Sequence, residues 1–136
     1  MEEITLTASV DQIKKVVDFV NDYLKKAGCS ERSRIQIDVA IDEILGNIAQ
    51  YAYAPDTGPA TIQVETEDDP PRAAITFIDH GKPFDPMTSK EPDLEKPVKE
   101  RAPGGVGLFM VKKTMDDVSY CFKDGQNILT IRKRLE

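Results

Sequence analysis

The sequence predicts a two-layer α/β sandwich of the α+β kind, a mixed, largely antiparallel sheet with helices on one face. Three observations lead there. The readable segments run β-α-α-ββ-loop-α-ββ, so strands lie next to one another instead of alternating with helices. Two helical stripes precede the first pair of strands. Asp124-Gly125, between two alternating runs, is a tight-hairpin signal. At 136 residues the chain is expected to form one domain, spanning 1–136, with a sizeable core.

Glu2 to Ala8 alternates, with Ile4, Leu6 and Ala8 on one side, and reads as a half-buried strand. Ser9 with Gln12 three residues on forms the pattern of a capping box. Ile13, Val16, Val17, Val20 and Leu24 then make a helical stripe, and Gly28 is placed to end that helix. Ser30 is a candidate N-cap for a second helix, expected to run to about Tyr53, with a turn from Pro55 to Pro59. Thr61–Thr66 and Ala73–Ile78 are strands separated by Asp68-Asp69-Pro70-Pro71. From Pro83 to Pro103 the chain carries more than half of its nine prolines, many charges and no sustained periodicity, which reads as a long loop. A third helix follows, about Gly107 to Met115, and then strands Val118–Phe122 and Asn127–Arg134. Lys and Arg on the last strand suit an exposed or edge position.

Net charge is −6, which argues against direct nucleic-acid binding, since such binders need a cationic footprint. Cys29 and Cys121 lie far apart and have no metal or redox spacing. The N-terminus shows no signal-peptide pattern, and no apolar run approaches the ~18–20 residues that span a bilayer. The expected location is the cytoplasm, with no membrane partner.

Three short segments carry chemistry. In the second helix Ile37, Ile41, Ile44 and Ile48 form one apolar stripe, and Glu43 and Asn47, four apart, point from the same side beside it. A carboxylate and a carboxamide so placed can hold a hydrated cation or orient a hydroxyl; alone, the pair reads as a solvated helix edge. Asp79-His80-Gly81-Lys82-Pro83-Phe84-Asp85-Pro86 follows a strand directly. Asp79 can accept from an exocyclic amine and Gly81 lets backbone approach a flat ring; alone, this is a common turn. Gly104-Gly105-Val106-Gly107-Leu108 opens the third helix, where backbone N–H groups and the helix dipole favour phosphate. It is neither a Walker A loop nor G-x-G-x-x-G.

Together and in this order, the three segments resemble the GHKL ATP-binding fold, also called the Bergerat fold. Within it, Phe84-Asp85-Pro86 and the run Gly107 to Asp116 resemble the small stand-alone anti-sigma-factor serine/threonine kinases. The resemblance covers nearly the whole chain, from the first strand to Leu135. It implies ATP and Mg²⁺ as cofactors. Asn47 would bind the ion and Glu43 would act catalytically, polarising the attacking hydroxyl. Asp79 would accept the adenine amine while Gly81 packs on the ring. Gly105, Gly107 and Leu108 would sit at the phosphates, with Gly104 a hinge and about 87–103 an ATP lid. The implied partners are a STAS-domain anti-anti-sigma protein and a sigma factor, with a homodimer as the implied assembly.

The chain departs from the pattern at three places. Tyr51 stands where many relatives carry histidine or lysine. Gln126 and Asn127 stand where many carry a threonine pair, and Pro83 replaces the second glycine of the wider superfamily's D-x-G-x-G. His80 is the sole histidine and is read as a turn residue, so a self-contained sensor histidine kinase is not expected. Phe19 and Tyr23 are read as core packing, and Lys112 and Lys113 as a solvated helix face. The expected function is an ATP-dependent protein serine kinase and anti-sigma factor. The alternative is a non-catalytic ATP-binding partner-switch module. A chaperone-like or mismatch-repair-like ATPase is not expected, because the additional domains of those enzymes are not seen.

Overall fold

The computed structural model describes residues 1–85 and 105–136. Five strands form one sheet in the order β1-β2-β3-β5-β4: β1 Glu2–Thr7, β2 Pro59–Glu67, β3 Arg72–Asp79, β4 Asp117–Lys123 and β5 Gln126–Arg134. Among the described residues all four pairings are antiparallel, where a mixed sheet was expected. The helices are α1 Ile13–Lys26, α2 Glu31–Asn47 and α3 Gly105–Thr114. Among the described residues no helix is long and apolar enough to cross a membrane.

One core holds the layers together. Val16, Val20 and Leu24 of α1 meet the α2 stripe Ile37, Ile41, Ile44 and Ile48, over Ile62, Val64, Ile75, Phe77, Leu129 and Ile131 of the sheet. Val111 of α3, and Met115 just after it, join this core. Phe19 and Tyr23 pack against this core, as the sequence suggests. The period-2 alternation of the strands leaves the other sheet face largely polar, with Ala74, Ile78 and Ile128 among its apolar members. There Thr5 pairs with Thr61 at 2.8 Å and Thr76 with Thr130 at 3.0 Å, while Arg132 bridges Glu67 and Asp117. Burying only one face explains why the strand pattern was readable in the sequence.

The helix ends follow local chemistry with one exception. Gly28 takes φ +81° after α1; its N–H reaches the Lys25 carbonyl and that of Cys29 reaches Leu24, the paired bonds of a Schellman end. The Ser30 hydroxyl accepts from Ser33 N–H at 3.2 Å, as an N-cap should. Ser9, by contrast, does not form the expected capping box. Its hydroxyl donates to Asp11, and a 3₁₀ turn, Val10–Gln12, precedes α1. The α1–α2 seam is polar at one point: Asn21 donates to Asp38, whose carboxyl is pushed above the usual range by burial, with the Asn21 bond opposing that shift.

The α2 helix stops earlier than the apolar pattern suggests. Regular α geometry ends at Asn47, and Ile48–Ala52 form a π-helical turn. Its partners supply the reason. The Ala52 carbonyl accepts from Lys82 N–H at 2.9 Å, and the Tyr53 hydroxyl accepts from His80 N–H at 2.7 Å while donating to the Pro59 carbonyl at 2.6 Å. The bonds from Lys82 and His80 tie the turn that follows α2 to the chain just after β3, a demand that no local pattern in α2 reveals. The β4–β5 turn does follow its residues, with Asp124 at φ 54° and Gly125 at φ 77°.

Candidate functional site

α2 brings the three segments to one place. Its last two turns carry Glu43 and Asn47, both half-buried, with the Asn47 amide donating to Glu43 Oε1 at 3.1 Å. That bond turns Asn47 Nδ2 toward Glu43 and leaves its Oδ1 with no partner among the described residues. The opening of α3 lies directly against Glu43. A Cβ added to Gly107 would fall inside the Glu43 carboxylate. Only a glycine lets the helix start and the acid share this space.

The second segment is pinned to the continuation of the same helix. Asp79 ends β3 at the centre of the sheet and is 4% exposed. Its Oδ1 accepts from Gly81 N–H at 2.8 Å, closing a tight turn. Gly81 lies on Ala52: an added Cβ would be 2.6 Å from the Ala52 Cβ and nearer still to its carbonyl oxygen. So Gly81 is required by backbone contact within the fold itself. His80 is exposed; its backbone N–H meets Tyr53, and its ring lies 3.5 Å from the Gln126 amide. That placement matches a turn residue.

Other expected residues fall as follows. Gly105 begins α3, two residues earlier than the sequence suggests, and Leu108 is buried, at 4% exposed. Gly104 and the expected lid, about 87–103, lie outside the described residues. Tyr51 is exposed. Lys113 sits 5.4 Å above the Phe109 ring.

One residue that sequence reasoning recorded only as a departure proves central. Asn127, 6% exposed, stands opposite Asp79 in the β3–β5 register. Its Nδ2 donates to Asp79 Oδ1 at 2.9 Å and to the Lys82 carbonyl at 2.9 Å. Its Oδ1 accepts from Phe84 N–H at 3.2 Å and from the Tyr120 hydroxyl. Burial pushes the Tyr120 phenol up, which keeps it the donor. The sequence signal was slight: an amide two residues after a hairpin glycine. Its meaning depends on a pairing between strands 48 residues apart.

Chemically, the arrangement offers a carboxylate and a free amide oxygen at a glycine-lined helix start, and a buried carboxylate bonded through one oxygen at the end of β3. No cluster of three metal-ligating side chains occurs among the described residues.

Comparison with known proteins agrees with this geometry. The family model for the histidine kinase-like ATPase domain matches residues 6–133. The serine/threonine-protein kinase BtrW of Bordetella bronchiseptica is 31% identical over 102 residues, 75% of this chain and 71% of that protein. The serine-protein kinase RsbW of Bacillus mycoides is 32% identical over 116 residues, 78% of this chain and 71% of that protein. In fold, the chain is similar to the nucleotide-free catalytic domain of histidine kinase ThkA, with a TM-score of 0.52 at 12% identity, covering 98% of this chain and 97% of that one. The chain belongs to the histidine kinase-like ATPase domain family, within its serine/threonine-protein kinase branch.

Proposed function

We propose that the chain transfers the γ-phosphoryl group of ATP to a serine of a STAS-domain anti-anti-sigma protein, and that the same molecule sequesters a sigma factor. The observation that carries the reading is the contact of Glu43 with Gly107 at the start of α3, on the same helix that anchors the Asp79–Gly81 turn. It sets an acid beside a phosphate-favouring helix N-terminus. Phosphoryl transfer asks a protein mainly for positioning and charge stabilisation, which such a pair supplies. Glu43 orients the serine hydroxyl and takes its proton. Asp79 accepts the exocyclic amine of the base through Oδ2, since both of its side-chain bonds described above fall on Oδ1. The N–H groups of Gly105 and Gly107 face the phosphates, with Leu108 closing the helix start behind them and Gly104 serving as the hinge of a lid over about 87–103.

The donor set fits Mg²⁺. This ion usually takes one or two protein oxygens and keeps waters and phosphate oxygens for the rest. Asn47 Oδ1 is such an oxygen, and the absence of a three-ligand cluster among the described residues suits an ion delivered with the phosphates. When bound, Mg²⁺ neutralises charge on the transferring group. The proposed location is the cytoplasm and the proposed assembly a homodimer.

The test is incubation with Mg-ATP and a purified STAS-domain protein encoded beside this chain, with phosphoserine read by mass spectrometry. The expected result is one phosphoserine on the partner, lost on Glu43→Ala. Calorimetric ATP binding with no phosphoserine under any condition would leave only a non-catalytic ATP-binding module.

A further inference from the structure

Asn127 uses its whole hydrogen-bonding capacity inside the protein. An amide has two hydrogens and two lone pairs. Both hydrogens are engaged at 2.9 Å, one by Asp79 Oδ1 and one by the Lys82 carbonyl, with the Gly81 carbonyl at 3.4 Å sharing the second region. Both lone pairs are engaged too, by Phe84 N–H and the Tyr120 hydroxyl. The partners fix the amide's orientation, because the nitrogen end meets only acceptors and the oxygen end only donors.

This has a consequence for Asp79. Gly81 N–H and Asn127 Nδ2 approach the same oxygen, so the carboxylate is held from two directions, by its own turn and by the neighbouring strand. Oδ2 is left as the oxygen for a ligand. The Asn127 amide also staples both sides of the 82–84 loop to β5, and so holds the turn that carries Gly81. A hydroxyl at position 127 has one hydrogen and could not hold Asp79 and the Lys82 carbonyl together.

We propose that Asn127 is a positioning residue that sets nucleobase selectivity. By fixing Asp79 with Oδ2 outward, it makes the site accept a purine bearing an exocyclic amine and reject one bearing a carbonyl at that position. The inference rests on the ATP reading above. An amine donates to the fixed oxygen, whereas a carbonyl brings oxygen against oxygen in a desolvated place. Sites built to hydrogen-bond one group reject its replacement strongly, because the buried partner is left unpaired. Freed from Asn127, the carboxylate can turn about its terminal torsion, and the penalty on the wrong base falls.

The test measures Mg-ATP and Mg-ITP affinity by titration calorimetry on the full chain and on two variants. Asn127→Leu keeps a similarly branched side chain and removes every donor and acceptor; Asn127→Ser removes the amide with a smaller side chain. Val64→Ala, a core truncation in β2 away from the turn, controls for stability loss alone. The expected result is an ATP-over-ITP ratio that falls about tenfold or more in both Asn127 variants and holds in the Val64 variant. If the Asn127 variants lose thermal stability yet keep the parent ratio, Asn127 is structural and the inference fails. If the parent chain binds neither nucleotide, the ATP reading itself fails. A parent that binds ATP and ITP equally overturns the selectivity claim and leaves ATP binding intact.

Discussion

The β3 end of the candidate site and the α2–α3 end are built differently. Around Asp79, a buried carboxylate, two turn glycine and lysine groups, Asn127, Phe84 and Tyr120 form a closed network in which each bond limits the next. Around Glu43, two half-buried side chains share one hydrogen bond, and the acid rests against a bare Cα. The first arrangement is rigid because buried polar groups must be paired. The second is held by sterics at one glycine, against the far end of a flexible side chain, and can adjust. The residues proposed for recognition are thus tied into the core, while the groups proposed for chemistry are left room to move.

The sharpest test of this contrast is at the loose end. Glu43→Gln should lower phosphoryl transfer by ~10²–10⁴-fold, with the unfolding midpoint close to that of the parent. A large stability loss would mean that Glu43 is part of the packing after all. Next in size, Gly81→Ala drives a methyl into the Ala52 backbone and should cost about 1–3 kcal/mol in urea unfolding, since neither chain can step aside without breaking the Lys82–Ala52 bond. The same substitution at the other end should behave in the opposite way. Gly107→Ala meets only the far end of the flexible Glu43 side chain. Stability should hold or rise by up to about 1 kcal/mol from helix propensity, while turnover drops at least ~10-fold because the acid is displaced. Equal stability losses at Gly81 and Gly107 would erase the distinction between the two ends.

The smallest effect lies outside the candidate site, at the α1–α2 seam. Burial raises the Asp38 carboxyl pKa, so the folded chain holds that proton to higher pH than the unfolded chain does. The folded state binds more protons in that window, so this group lowers stability as pH rises from about 4 through its folded value. Asp38→Asn should therefore be more stable than the parent at pH 7, within about 0.5 kcal/mol. Thermal melts at pH 7 and pH 3.5 check it, with the advantage expected to vanish at the lower pH.

How much of this was legible beforehand depended on distance along the chain. The α2 stripe Ile37, Ile41, Ile44 and Ile48 is buried as its spacing demanded, and Gly28, Ser30 and Asp124-Gly125 perform the local roles their chemistry suggested. Glu43 and Asn47 emerged together because four residues is one helical turn. Ser9 was misjudged because Asp11, two residues on, competes for its hydroxyl. The early end of α2 and the importance of Asn127 could not be read locally at all. Each is fixed by bonds to the turn after β3, about 30 and 45 residues away, whose cost and reward exist only once the sheet has formed.

By itself, then, the sequence determined which segments would become helix and strand, the caps at Gly28 and Ser30, and which short motifs were chemically suited to a nucleotide. Those outcomes depend on residue period, side-chain reach and backbone preference within a few positions. Tertiary structure alone decided that Gly107 would lie on Glu43, that Gly81 would lie on Ala52, and that an asparagine legible only as a departure from a pattern would hold Asp79. These are close contacts between distant segments, and they arise from the need to fill space and pair every buried polar group once the layers have closed.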